Sequence, residues 1–215
     1  MDGLRTFAKL FEPGYIGKLR LRNRIVMASM GTGYAELDGR FSWQDIDFYV
    51  ERAKGGVGLI ITSISLASRV DPAERRMPTP RCDSNRLVPR MSELVTAVHD
   101  FGTPIALQIS PGAGRQSESA SPENPPVSAS PVPALANPLV KCRELSREEV
   151  KYIVHECADG AERAVLAGFD AIEIHAHMGY LIDQFMSQLW NKPQVATNLQ
   201  YSLCPLQGES ALTVL

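Results

Sequence analysis

Segments apolar on both faces, each arriving directly after a helix with clear start and stop signals, constrain this chain more than anything else in it. VGLIITS, residues 57–63, is rich in β-branched residues and shows no polar alternation. That pattern suits a parallel strand covered on both sides. Ahead of it, Ser42 offers an N-cap with Asp45 three residues on, a variant of the capping box. Trp43, Ile46, Tyr49, Val50 and Ala53 follow at helical spacing, and Gly55-Gly56 supplies the stop. The unit then recurs. Leu87, Met91, Leu94, Val95 and Val98 make a second stripe ending near Gly102, followed by the strand PIALQIS at 104–110. Ser146 with Glu149 is a full capping box, opening a helix that Gly168 closes before the strand DAIEIHA at 170–176. RIVMASM at 24–30 reads as the first strand of the series. Four strands alternating with helices, without hairpin signals, predict an α/β fold with a parallel sheet.

Such a sheet is either open and doubly wound or closed into a (β/α)8 TIM barrel. No strand is followed by G-x-G-x-x-G, so the dinucleotide fingerprint of the open fold is missing. GGVG at 55–58 precedes a strand and serves as a helix stop. Barrel enzymes place their chemistry at the C-terminal ends of the strands. Those ends here carry Met30-Gly31, Thr62-Ser63, Gln108 and His175, and three of the four bear polar side chains. The barrel is the better reading. Residues 117–138 are rich in Pro, Ser, Ala and Asn and have no periodicity. They follow the third strand on the catalytic face, a position that favours a lid over a linker.

Bulk properties remove several function classes. A formal charge of −2 argues against a dedicated nucleic-acid or anionic-membrane binder. No apolar run has the length of a bilayer span, and the N-terminus shows no signal-peptide core. Cys82, Cys142, Cys157 and Cys204 lie far apart with no C-x-x-C spacing, so free thiols in the cytoplasm are expected.

NRIVMASMGTG at 23–33, GGVGLIITS at 55–63, IALQISPGAGRQ at 105–116 and IEIHAHMGYLIDQF at 172–185 occur in that order. Together they resemble the old yellow enzyme family of FMN-dependent oxidoreductases, in its 2,4-dienoyl-CoA reductase, 2-enoate reductase and bile-acid steroid reductase branch. The resemblance implies a (β/α)8 barrel carrying FMN, with NAD(P)H as reductant and a small molecule bearing an activated alkene as substrate. It implies that Ser29, Met30 and Gly31 support the flavin ring and that a small residue, Ser63 or Thr62, lets the ring lie close. Gln108 would hydrogen-bond the flavin pyrimidine, a task that suits an amide, which is donor and acceptor in one group. His175 would bind the substrate oxygen, and Tyr180, five residues on, would protonate the alkene carbon. A hydrogen bond to that oxygen stabilises a developing enolate. A phenol with a pKa of about 10 keeps its proton at neutral pH.

The sequence departs from the family pattern beside this pair. The second ligand-binding residue, three after the first histidine, is Met178 here, and His177 falls two after His175. Residues two apart on a strand share a face, so His177 is the expected substitute. H-x-H also raises a metal-dependent barrel hydrolase, but with no third ligand in view no metal is expected. Arg115 is expected to support the active face, and Arg20, Arg22 and Arg24 to form the polar bottom of the barrel. From residue 193 the resemblance stops: residues 1–192 read as the N-terminal portion of an FMN barrel, and 193–215 as a divergent, irregular tail. The expected architecture is therefore a barrel truncated after about four β/α units. It lacks the family's phosphate site and the cysteines that hold an iron–sulfur cluster in longer members. Two functional expectations follow: an FMN-dependent ene-reductase, or a non-catalytic fragment of one. The remaining partner options are a homo-oligomer or a complementing chain.

Overall fold

A computed structural model describes residues 7–73 and 78–192. The chain opens with a short helix α1 (Ala8–Phe11) and a hairpin of β1 (Gly14–Ile16) and β2 (Leu19–Leu21), paired antiparallel. Then come β3 (Val26–Met27), α2 (Trp43–Lys54), β4 (Leu59–Leu66), α3 (Val88–His99) and β5 (Ile105–Ser110). A long connection carries two short strands, β6 (Val127–Ser128) and β7 (Arg143–Glu144). It leads into α4 (Arg147–Ala167), β8 (Ala171–Ile174) and α5 (Leu181–Met186). Strands β3, β4, β5 and β8 form one parallel sheet in that order, each joined to the next by a helical crossover. The predicted α/β architecture of successive β/α units is present, and the predicted tail, residues 193–215, lies outside the described residues.

Both predicted capping boxes form. Ser42 accepts from the Asp45 amide while the Asp45 carboxylate accepts from the Ser42 amide, and Ser146 and Glu149 repeat the exchange on α4. Each box satisfies two amides that a helix start leaves without partners. The apolar stripes then seal one side of the sheet. Ile46, Tyr49 and Ala53 of α2 and Met91, Leu94, Val95 and Val98 of α3 pack on Ile60, Ile105, Leu107 and Ile109. The other residues of β5 alternate to the opposite face. There Ala106 joins Leu59 and Ala171 around Leu21 of the hairpin. The hairpin therefore plugs the end of the sheet where the strands begin, and Gln108 is left facing the same side further up.

Of the three arginines expected at the barrel bottom, Arg22 is fixed where the strands begin, and Arg24 donates to the Pro13 carbonyl and pairs with Glu12. Arg22 donates to the carbonyls of Ala53, Val57 and Phe101 and to the Thr103 hydroxyl, closing the carbonyl ends of α2 and the α3–β5 turn. Beside it, a Cβ on Gly58 would fall 2.3 Å from the Asn23 carbonyl oxygen. GGVG is thus more than a helix stop: its last glycine makes room for the strand before it.

Several boundaries differ from the sequence reading. The first strand shrinks from 24–30 to two residues, because only β4 pairs with it among the described residues. The second runs three residues beyond Ser63, because its pairing with β5 continues to Leu66 opposite Ser110, and it carries a one-residue bulge on the way: Ile61 faces Ala106 but Ile64 faces Gln108. The hairpin was not anticipated. Segment 117–138 is also more ordered than its composition suggests. Residues 126–130 are buried, β6 pairs with β7, and Ala134, Val140 and Cys142 form a small core of their own.

Candidate active site

The C-terminal ends of β4, β5 and β8 converge with the turn before α5, and most of the predicted site residues meet there. Gln108 is almost fully buried, and its side-chain oxygen accepts a 2.8 Å hydrogen bond from the Ser29 hydroxyl. In this pairing of residues 79 positions apart the Gln108 oxygen is the acceptor, and its NH2 remains to donate. Met30 is 53% exposed, and open space surrounds the Cα of Gly31.

Thr62 and Ser63 occupy the bulge and take part in hydrogen bonds that it requires. The Thr62 hydroxyl accepts the Gln108 amide at 3.3 Å, and the Ser63 amide donates to the Tyr49 hydroxyl at 2.7 Å. A bulge breaks the ladder, and these two side chains replace the missing carbonyls. The residue brought opposite Gln108 is instead Ile64. It was missed because a bulge shifts the inward face by one residue and leaves no mark in an apolar run.

His175 continues the β8 ladder by one residue, its amide donating to the Ile109 carbonyl at 2.9 Å. It is buried, and among the described residues its Nδ1 has no hydrogen-bond partner. Burial, with the neighbouring His177 adding to it, pushes the imidazole down to about 4, so the ring is neutral near pH 7. The Tyr180 ring stands edge-on to it at 4.3 Å between centroids, and His177 stands edge-on at 4.6 Å. The three residues singled out for chemistry are therefore one cluster. Met178 adopts a left-handed φ of 57° and is 71% exposed, so it takes no part. Among the described residues, no group of three His, Cys, Asp or Glu is placed to hold a metal ion.

The turn carrying Tyr180 is held from several directions. Gln116 donates to the Met178 carbonyl at 2.6 Å, and the Asp183 carboxylate accepts the Gly179 amide at 2.6 Å. A cavity of about 80 Å3 lies alongside, lined by Ile64, Ala113, Gln116, Ser117 and Tyr180. Arg115 does support this face. Its Nε donates to the Pro133 carbonyl, its carbonyl accepts the Leu135 amide, and its guanidinium lies 4.0 Å over the Trp190 ring. Arg115 is thus one of the residues that tie segment 117–138 to the active face.

Amide, imidazole and phenol are gathered at the strand ends of a parallel β/α fold, the place where barrel enzymes carry their chemistry. The chain belongs to the NADH:flavin oxidoreductase / NADH oxidase family, whose profile matches residues 9–194. It is 42% identical over 186 residues to a cinnamate reductase of Clostridium sporogenes, covering 85% of this chain and 28% of that protein. It is 43% identical over 189 residues to an NADH oxidase of Thermoanaerobacter brockii, covering 86% of this chain and 28% of the relative. Among solved structures, morphinone reductase in complex with tetrahydroNAD superposes with a TM-score of 0.76 at 27% identity, over 92% of this chain and 58% of that one. The chain thus spans just over a quarter of the length of these two curated relatives.

Proposed function

We propose that this chain carries the ligand-binding and proton-donating part of an FMN-dependent ene-reductase acting on an activated C=C bond. The observation that carries the proposal is the His175–Tyr180 contact at a strand end, with Gln108 of the neighbouring β5 held by Ser29, two residues beyond β3. The donor set fits the group: a buried amide, donor and acceptor in one, suits a flavin pyrimidine edge, and Met30 and Gly31 leave room beside it. Gln108, Ser29, Met30 and Gly31 would hold the ring. Thr62 and Ser63 would shape the strand beneath it, with Ile64 nearest to it on β4. When bound, FMN supplies the hydride that NAD(P)H delivers to the site.

His175 remains neutral at working pH and offers a ring N–H to the substrate carbonyl, stabilising charge as it grows on that oxygen. His177, beside it on the turn, is the second donor. The Tyr180 hydroxyl gives its proton to the α-carbon. The cinnamate reductase relative points to 2-enoates within a class that also includes enoyl-CoA esters and enones. The three described cysteines are free, and burial pushes their thiols up, Cys142 to about 11 and Cys157 to about 12. Unreactive free thiols agree with the cytoplasm as the compartment.

The test is spectroscopic. The protein should keep FMN through gel filtration, lose flavin colour with NADH and regain it with a 2-enoate. Tyr180→Phe should slow the regain by about 100-fold or more while leaving the loss of colour unchanged. Equal slowing of both steps would overturn the assignment of Tyr180. A second reading rests on the sheet itself. Its outer strands expose apolar side chains, Val26 at 41% and Ile174 at 43%. If FMN is retained only after a chain carrying the remaining β/α units is added, this chain is an inactive part needing a complement.

A further inference from the structure

A glutamine that the sequence hides inside an apolar stretch ties the active face together. Gln184 lies on α5 and is fully buried. Its Nε2 donates to the Gly179 carbonyl at 2.6 Å and to the Ala113 carbonyl at 3.2 Å. Its Oε1 accepts from the Ser128 hydroxyl at 2.8 Å and from the Arg115 amide at 3.3 Å. One side chain therefore joins the residue immediately before Tyr180, the loop after β5, and β6 in the long connection. All four hydrogen-bonding capacities of the amide are used, which orients it uniquely. The loop is fitted to it: a Cβ on Gly114, where φ is +59°, would fall 2.5 Å from Oε1.

We propose that Gln184 is the positioning residue for Tyr180, acting through the Gly179 carbonyl, and that it couples the tyrosine to the loop after β5 and to the 117–138 segment. This rests on the proton-donor role proposed above. Tyr180 caps α5 with no side-chain hydrogen bond of its own to the helix, so its placement comes from the turn beneath it. A proton donor displaced by a fraction of an ångström loses much of its rate. An amide satisfied on all sides is the most restrictive anchor that turn can have.

Two substitutions separate this role from simple packing. Gln184→Met keeps the volume and removes all four bonds. Gln184→Glu keeps both acceptor bonds and loses both donations. In the Met variant, amide hydrogen exchange should rise tenfold or more at residues 112–116 and 178–182, with 105–110 and 150–165 unchanged. In the Glu variant the rise should appear at 178–182 while the Arg115 amide stays protected. Both variants should slow alkene-dependent flavin reoxidation at least tenfold, with flavin reduction by NADH and FMN affinity within twofold of wild type. Adding Gln184→Met to Tyr180→Phe should cost no further rate, because the two act as a unit. Wild-type exchange at 178–182 in both variants, or additive losses in the double variant, would overturn the proposal. If the wild type shows no alkene-dependent step, the ene-reductase reading fails, and the exchange pattern alone decides the role of Gln184.

Discussion

Strands β5 and β8 lie side by side with similar apolar sequences, yet their surroundings are opposite. Every residue of β5 is buried, whereas on β8 only Ala171 is, and Ile174 is 43% exposed. The cause is position. β5 has β4 and β8 on its flanks and helices over its outer face, while β8 has a partner on one side only among the described residues. An apolar strand sequence records the cover its fold provides, and on β8 that cover is not met. The two strands nevertheless supply the site jointly, Gln108 from one and His175 from the end of the other.

The comparison is easiest to break at its most buried point. Leu107→Ala removes a side chain with no exposure and should cost about 2–5 kcal/mol in urea unfolding. A smaller loss would mean that β5 is less tightly enclosed than it looks. Tyr49→Phe leaves the Ser63 amide at the β4 bulge without its acceptor and should cost about 1–3 kcal/mol by the same measurement. A neutral result would mean that the bulge relaxes. At the end of β8, pH is the probe. The His175 imidazole is held down to about 4 in the folded protein, below its ordinary value of about 6.5. Between those values the unfolded chain binds the extra proton, so stability falls as pH drops through that window. His175→Asn should flatten this dependence in unfolding curves recorded from pH 4 to 7. An unchanged slope would show that the ring is not held neutral. The smallest effect should come from Ile174→Ala, within about 0.5 kcal/mol for an exposed side chain. A cost close to that of Leu107→Ala would show β8 covered in solution, by another part of the chain or by another molecule.

Regular features were the legible ones. Ser42 with Asp45 and Ser146 with Glu149 announce helix starts because capping is local chemistry, and the apolar strands announce a parallel sheet because both faces are sealed. His175 and Tyr180 were legible through their spacing in a family motif. What escaped depends on contacts distant in sequence or on breaks in periodicity. The bulge that turns Ile64 inward leaves an apolar run looking unbroken. Gln184 reads as the polar side of a short helix, since its four partners lie in three other stretches of chain. The hairpin at 14–21 had a signal, Gly17-Lys18 between two short alternating runs, but its strands are too short to stand out.

The Arg22 contacts also bear on the order of events during synthesis. Arg22 leaves the ribosome long before Phe101 and Thr103 have been made. Its contacts with Ala53 and Val57 can form earlier, but the set is complete only when the unit ending in β5 is out and folded. An early hairpin thus completes its anchorage only with a segment made about eighty residues later.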